Sequence, residues 1–210
     1  KGEHSAHSVY YSRGKRSIAL DLKNPDGLAV VQKLAAEADV MLESFRPGVA
    51  DRLGVGYEAM RALNPGLLYV SVSGFGQTGP YRERPCTDTV AQAFSGLMSL
   101  NTSPEGVPVK VGAVVIDTLT GLFAYQAVAT AIYARRDGGA GRHLDVSLMG
   151  GAAALLAPKV LEAAITGQTP AAFNPPAGNY QTSDGWIAVT LVRDIEFPLI
   201  CDAIGLPEIG

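Results

Sequence analysis

One carboxylate stands where it could do covalent chemistry. Asp117 closes the apolar run Val111-Gly112-Ala113-Val114-Val115-Ile116 and opens a second apolar stretch with a helical pattern. Thr118 and Thr120 flank it, and Gly121 leaves room for a close backbone approach. A carboxylate at the start of a helix has two uses. As an N-cap, it accepts from the backbone N–H groups that the first turn leaves unpaired. As a nucleophile, it is already ionised at neutral pH and needs no general base. Position alone does not separate the two, because both want a carboxylate at a helix N-terminus.

Other residues of chemical interest are weaker on their own. Gly74-Phe75-Gly76-Gln77-Thr78-Gly79 has the spacing G-x-G-x-x-G. A dinucleotide fingerprint must open directly into a helix that points at the pyrophosphate. Here Pro80-Tyr81-Arg82-Glu83-Arg84-Pro85 follows, an extended loop with a proline at each end. The segment therefore reads as a mobile glycine loop over a ligand. Asp88 opens a helical pattern and reads as a cap. His4 and His7 read as solvated residues of a polar terminal stretch, His143 as structural, and Asp145 as the polar end of a buried strand.

The elements that must position these residues follow from periodicity and punctuation. Residues 16–22 alternate as a short strand, entered from the basic turn Arg13-Gly14-Lys15. Asn24, Pro25 and Asp26 start a helix as cap, first position and first-turn acid. Its buried period is Leu28, Val31, Leu34, Ala35 and Ala38. A strand over 39–43, apolar enough for burial on both faces, leads into the loop Ser44-Phe45-Arg46-Pro47-Gly48. Short helical pieces cover 49–53 and 57–63, and residues 67–73 form a third, buried strand. This alternation is the grammar of an open parallel α/β sheet. Ligands in such sheets lie beyond the carboxyl ends of the strands. That puts Ser44-Phe45-Arg46 and Gly74-Phe75-Gly76 on the binding edge.

Further on, a single helix is predicted over 88–100, burying Val90, Ala91, Phe94, Leu97 and Met98. The Asp117 helix runs to Arg136, a strand covers 143–147, and an alanine-rich helix covers 148–166. Composition shifts after Gly167. Residues 169–178 read as a linker, 180–192 as a hairpin turning at Ser183-Asp184-Gly185, and 196–204 as a helix ended by Gly205. The expected organisation is residues 1–167 as part of a large Rossmann-like domain, and 168–210 as linker and start of a smaller α+β domain.

With 47% hydrophobic and 18% charged residues the chain is globular rather than disordered, and a net charge of −3 points to neither nucleic acid nor an anionic membrane. No run approaches an uninterrupted membrane span: the longest candidate, 152–164, is broken by Pro158, Lys159 and Glu162. Cys86 and Cys201 lie far apart without ligand spacing, which reads as reduced thiols in a cytoplasmic setting and supports no zinc or other metal site. The start, Lys1-Gly2-Glu3-His4, has no Met and no apolar signal core, and so reads as an internal piece of a longer chain.

Taken together the motifs resemble the class III CoA-transferases, a family that includes formyl-CoA and carnitine CoA-transferases and the α-methylacyl-CoA racemases. The resemblance rests on Arg13 to Leu22 (RGKRSIALDL), Asp39 to Gly48 (DVMLESFRPG) and Ser73 to Tyr81 (SGFGQTGPY). The Asp117 segment, Gly139 to Leu148 (GAGRHLDVSL) and Tyr180 to Trp186 (YQTSDGW) complete it, in the family's order over nearly the whole chain.

The resemblance implies that Asp117 is the catalytic aspartate, forming a mixed anhydride and then an aspartyl-CoA thioester. It implies coenzyme A, as acyl-CoA, held by Leu20, Phe45, Arg46 and Arg52, and a small carboxylic acid as co-substrate near Gly74, Gly76, Thr87 and Asp88. Guanidinium groups suit phosphates, and an aromatic–aliphatic pair can hold the adenine. Taken alone, Arg52 reads as a solvated residue pairing with Asp51 or Glu58. The family's full-length form is an interlocked homodimer. The racemase branch carries a His where this chain has Thr87, and a threonine cannot take an α-proton at neutral pH; this favours transfer over racemisation. A non-catalytic CoA-binding fragment is the third reading. The formyl-CoA transferases' run of glycines is missing near residues 174–180, which leaves a formyl or oxalyl substrate unsupported.

Overall fold

The structure is a computed structural model. It describes residues 5–209 except 104, 137, 169, 171–176 and 191–192. The expected linker and the missing glycine run lie largely outside the described residues. The chain divides into two compact units, Lys1–Leu156 and Ala157–Gly210.

The first unit begins with α1 (Ala6–Tyr11) and α2 (Pro25–Glu37), followed by β1 (Val40–Glu43), α3 (Val49–Arg52) and α4 (Tyr57–Leu63). Then come β2 (Leu68–Ser73), α5 (Asp88–Phe94), α6 (Leu97–Leu100), α7 (Val115–Arg135) and β3 (Arg142–Ser147). Helix α8 (Leu148–Thr166) contains the division between the units. The strand order is β1-β2-β3, all parallel, with Val40 opposite Leu68 and Leu68 opposite Arg142. This is the expected α/β architecture of a parallel sheet with flanking helices. Asn24 caps α2, its Oδ1 accepting from Asp26 N at 2.9 Å.

Two apolar clusters hold the sheet. Ala35, Met60, Leu67 and Tyr69 bring α2 and α4 against β2, and Ala91, Ile116 and Ala152 bring together α5, α7 and α8. Polar ties close the ends of the elements. Asn64 donates to the Ala35 and Ala38 carbonyls at 3.1 and 2.9 Å, and Arg135 donates to Gly66 O at 2.6 Å and pairs with Asp39. Arg135 thereby fastens the end of α7 beneath the starts of β1 and β2.

Several expectations need correction. Residues 16–21 are irregular rather than a strand; among the described residues no strand pairs with them, and Ile18 is exposed. Strand β1 is not buried on both faces. It is an edge of the described sheet, so Leu42 is 56% exposed while Glu43 is buried. Leu34, placed on the buried period of α2, is exposed.

The helix predicted over 88–100 is two helices, because Gly96 takes φ +87° between them, a conformation that side-chain-bearing residues avoid. Its predicted stripe is also wrong in part. Val90 and Phe94 are exposed, and α5 buries Asp88, Ala91 and Gln92. Finally, α7 and α8 are each long and apolar enough to cross a membrane by length and composition. Alanines raise the hydropathy of both helices, while Thr118, Thr120 and Gly121 in α7 and Pro158, Lys159 and Glu162 in α8 interrupt the apolar run. Helix α7 packs on β2 and β3, as a sheet-covering helix of an α/β domain does.

The second unit carries a hairpin of β4 (Gly178–Gln181) and β5 (Trp186–Val189), followed by α9 (Phe197–Ala203). Gly205 at φ +77° ends that helix, as expected.

Candidate active site

Asp117 sits at the third position of α7, two residues inside the helix. It is therefore not the N-cap. The cap position is Val114, whose side chain cannot accept a hydrogen bond. The acceptor comes from another helix: Asp88 Oδ1 receives the backbone N–H groups of Ile116 at 2.8 Å and Asp117 at 3.2 Å. Asp88 does not cap its own helix either. Thr87 does that, its Oγ1 accepting from Val90 N at 3.5 Å. Asp88 is 7% exposed, and its second oxygen accepts from Gln92 Nε2 at 2.5 Å. Gln92, fully buried, accepts from Val111 N through its Oε1 at 2.9 Å. Two residues one turn apart on α5 thus clamp the approach to α7 and its first turn.

Electrostatics follow from this packing. Burial, and then the Asp88 charge, push the Asp117 carboxyl above the usual carboxylate range. Burial, with Asp117 and Asp88 beside it, likewise raises the Cys86 thiol, which keeps it a poor nucleophile. An open groove of about 550 Å³ runs along Asp117, Thr118 and Gly121, with His7, Tyr10 and Tyr11 of α1 on its other side. His7, read from sequence as a solvated tail residue, belongs to the groove of the candidate nucleophile.

The glycine loop approaches from the carboxyl end of β2. A Cβ on Gly74 would lie 2.3 Å from Cys86 Cβ, so only glycine lets the loop pass the segment that leads into α5. Gly76 takes φ +89° and donates its N–H to Ser73 Oγ at 3.1 Å. The next amide, of Gln77, donates to Asp145 Oδ2 at 2.9 Å. Asp145 is therefore a loop anchor as well as a strand residue. Gly74 and its neighbours open no helix, as the two prolines indicated.

Residues assigned to CoA gather on the neighbouring edge. Phe45, 40% exposed, and Arg46 lie in the loop after β1, where buried Glu43 accepts from Phe45 N at 2.7 Å. Arg52 lies over the same loop: a Cβ on Gly48 would meet its Nη1 at 3.4 Å. Glu58, a suggested partner for Arg52, pairs with Arg61 instead. Arg46 borders a small cavity of about 40 Å³, together with Glu43, Ser71, Gln77 and His143. His143 Nε2 and Ser71 Oγ are 2.9 Å apart, and Tyr57 stacks on the imidazole. Gln77 so connects the two edges, anchored to Asp145 through its amide and bordering the Arg46 cavity with its side chain. Leu20 stands apart, in the irregular segment before α2, and borders neither cavity.

The structure thus gathers Gly74, Gly76, Thr87, Asp88 and Asp117 at one end of β2, and Phe45, Arg46 and Arg52 beyond β1. Sequence reasoning missed Gln92, Glu43 and the function of Asp145. The signal for Gln92 was present: two polar residues at i and i+4 within an apolar helix share a face. Among the described residues, no group of three or more His, Cys, Asp or Glu is placed to hold a metal.

Comparison with known proteins shows the family and the fold. Residues 1–210 match CoA-transferase family III. An acetyl-CoA:oxalate CoA-transferase of Acetobacter aceti is 39% identical over the whole chain, which covers 56% of that protein. A succinate–glutarate CoA-transferase of Agrobacterium fabrum is 36% identical, with 54% of its length covered. A crystal structure of a CaiB/BaiF family protein from Brucella suis superposes with a TM-score of 0.81 at 34% identity, over 93% of this chain and 53% of that one. The chain spans about half the length of the relatives it matches. On motif order, fold and whole-chain similarity, it belongs to CoA-transferase family III.

Proposed function

We propose that the protein moves CoA between an acyl-CoA and a small carboxylic acid, with Asp117 as the covalent nucleophile. The observation that carries this is the placement of Asp117: a solvent-accessible carboxylate, held by its backbone at a helix start, beside an open groove. An Asp117 oxygen attacks the thioester carbonyl; the C–S bond breaks, and CoA leaves as thiolate from a mixed anhydride. The thiolate attacks the aspartyl carbonyl, the donor acid departs as carboxylate, and Asp117 holds CoA as a thioester. An incoming carboxylate attacks that thioester and expels CoA thiolate. The thiolate then attacks the new acyl carbonyl and restores the Asp117 carboxylate.

The backbone amides of Ile116, Asp117 and Thr118 are already engaged, by Asp88 and by the Val114 carbonyl. Donors for the tetrahedral oxyanions therefore come from outside these three amides, and from outside the Gly76 and Gln77 amides, which Ser73 and Asp145 already hold. On the CoA side, Arg46 and Arg52 meet phosphates and Phe45 offers an aromatic face; Leu20 is assigned to CoA by the family resemblance alone. Relatives with this fold are named for oxalate, glutarate, citramalate and malate, so the acids assigned here are small dicarboxylates. Thr87 spends its hydroxyl oxygen on capping α5, which leaves the racemase reading without a base at that position.

The assembly assigned is the interlocked homodimer in the cytoplasm. Residues 1–167 belong to the CoA-binding domain, and 168–210 to the linker and the start of the small domain. Exposed apolar side chains along α7, among them Leu122, Tyr125, Ile132 and Tyr133, offer such an interface.

The test is to incubate the full-length protein with a panel of acyl-CoAs, trap with hydroxylamine or borohydride, and read the mass of the Asp117 peptide. Modification of Asp117, lost in Asp117→Asn, is expected. Absence of any Asp117 adduct, with solvent exchange of the substrate α-proton, would overturn the reading in favour of a racemase.

A further inference from the structure

We propose that Asp88, locked in place by Gln92, is a positioning residue that biases Asp117 toward its neutral, acylated state. This rests on Asp117 being the nucleophile. Asp88 Oδ1 accepts from Ile116 N and Asp117 N, and Oδ2 accepts from Gln92. Gln92 is held in turn by Val111 N and by a 3.4 Å contact to the Ala113 carbonyl. Asp88 is buried and cannot swing out to water. Its charge is therefore fixed behind the first turn of α7, next to the residue that must lose its own charge on acylation.

The energetics run in one direction. Free Asp117 is an anion beside an anion, whereas the mixed anhydride and the aspartyl-CoA thioester are uncharged at Asp117. The negative charge leaves with CoA thiolate in the first half of the exchange and with the donor carboxylate in the second. Two like charges at close range in a partly buried setting disfavour the state in which both are present. The same arrangement makes Asp117 more basic, and hence a better nucleophile once ionised. The other groups facing Asp117 are Cys86 before α5, and His7, Tyr10 and Tyr11 of α1. None of these is a carboxylate; Asp88 alone brings a negative charge tied to the Asp117 backbone.

An exchange that keeps the bonds to Ile116 N, Asp117 N and Val111 N separates this role from mere scaffolding. In Asp88→Asn the new amide nitrogen faces the Gln92 amide nitrogen, so two donors oppose each other. The double variant Asp88→Asn/Gln92→Glu removes that conflict and gives up only the long 3.4 Å hydrogen bond from Gln92 Nε2 to the Ala113 carbonyl, which a carboxylate cannot donate. Its carboxylate, now at position 92, accepts from Val111 N and from the side-chain amide introduced at position 88. The charge thereby moves one side chain farther from Asp117. In full-length protein carrying a trappable donor, the double variant should regain most of the thermal stability lost in the single one. Its equilibrium fraction of aspartyl-CoA should still fall, by about three- to tenfold. The acid limb of kcat/KM against pH should also move to lower pH, because Asp117 ionises more readily once its neighbour's charge is withdrawn. A double variant with wild-type adduct fraction and an unmoved acid limb would overturn the proposal. Failure of the wild-type protein to form any adduct would instead strike the nucleophile assignment on which it rests.

Discussion

The two edges of the binding face are built differently. Around Asp117 the polar groups are buried and paired: Asp88, Gln92, Thr120 and the first-turn amides form one hydrogen-bonded set. Around Arg46 and Arg52 the side chains are exposed and Phe45 is open to solvent. There the buried amide nitrogen of Gln77 has no hydrogen-bond partner among the described residues. A buried polar group left unpaired costs free energy. The contrast matches a division of labour. On the proposed function, the reacting group is held in position before substrate arrives, which is where preorganisation acts on rate. On the same proposal, the side assigned to a large, flexible, charged ligand leaves its groups to be satisfied by that ligand.

Perturbing each edge separately should break the symmetry of effects. The larger loss belongs to the nucleophile side. Gly74→Ala places a methyl group 2.3 Å from Cys86 Cβ, so the loop or the start of α5 must shift. Overpacking of this kind costs roughly 1–3 kcal/mol, and here the displaced segment leads to Asp88. We expect kcat to drop by about 10- to 100-fold, with KM for acyl-CoA little altered. Adding Cys86→Gly should restore part of the rate by removing the opposing carbon. Steady-state kinetics on the single and double variants check this, and equal losses in both would mean that the contact is not the cause.

A smaller and opposite pattern belongs to the CoA side. Arg46→Ala removes a charge-assisted contact to phosphate, which raises KM for acyl-CoA by about tenfold while kcat changes little. Repeating the assay with a truncated thioester that lacks the nucleotide should erase the difference between variant and wild type. A kcat effect without a KM effect would move Arg46 to the nucleophile side and dissolve the comparison.

How much of this was legible in the sequence divides along the same line. Elements with strong local signals emerged as predicted: the Asn24-Pro25-Asp26 start of α2, the parallel strands, the whole of α8 and the Ser183-Asp184-Gly185 hairpin turn. The glycine loop was correctly separated from a dinucleotide motif, because two prolines forbid the helix. What failed depends on partners distant in sequence. Residues 16–22 alternate like a strand, but alternation cannot supply a neighbouring strand to pair with. Leu42, expected to be buried with the rest of the strand, is exposed because β1 is an edge of the described sheet, while Glu43 is buried and serves the Phe45 amide. For Asp117 and Asp88 the local pattern offers a cap of each residue's own helix as one reading, and neither residue is that cap. The structure instead caps α7 from α5 across 28 residues of sequence, a pairing that no local pattern announces.

The central claim is that the Asp117 carboxylate exchanges an oxygen with substrate during turnover. The direct measurement uses an acceptor acid labelled with oxygen-18 in both carboxylate oxygens, an unlabelled acyl-CoA donor and full-length protein at near-stoichiometric concentration. After turnover, Asp117 is recovered in a proteolytic peptide and weighed. Attack of the labelled acid on the aspartyl thioester, followed by cleavage on the acyl side, leaves one labelled oxygen on Asp117 and one in the new thioester. Label in both places is the predicted result. Product thioester formed with Asp117 wholly unlabelled would contradict the account, because CoA would then have passed between the acids without bonding to the residue that this architecture holds in place.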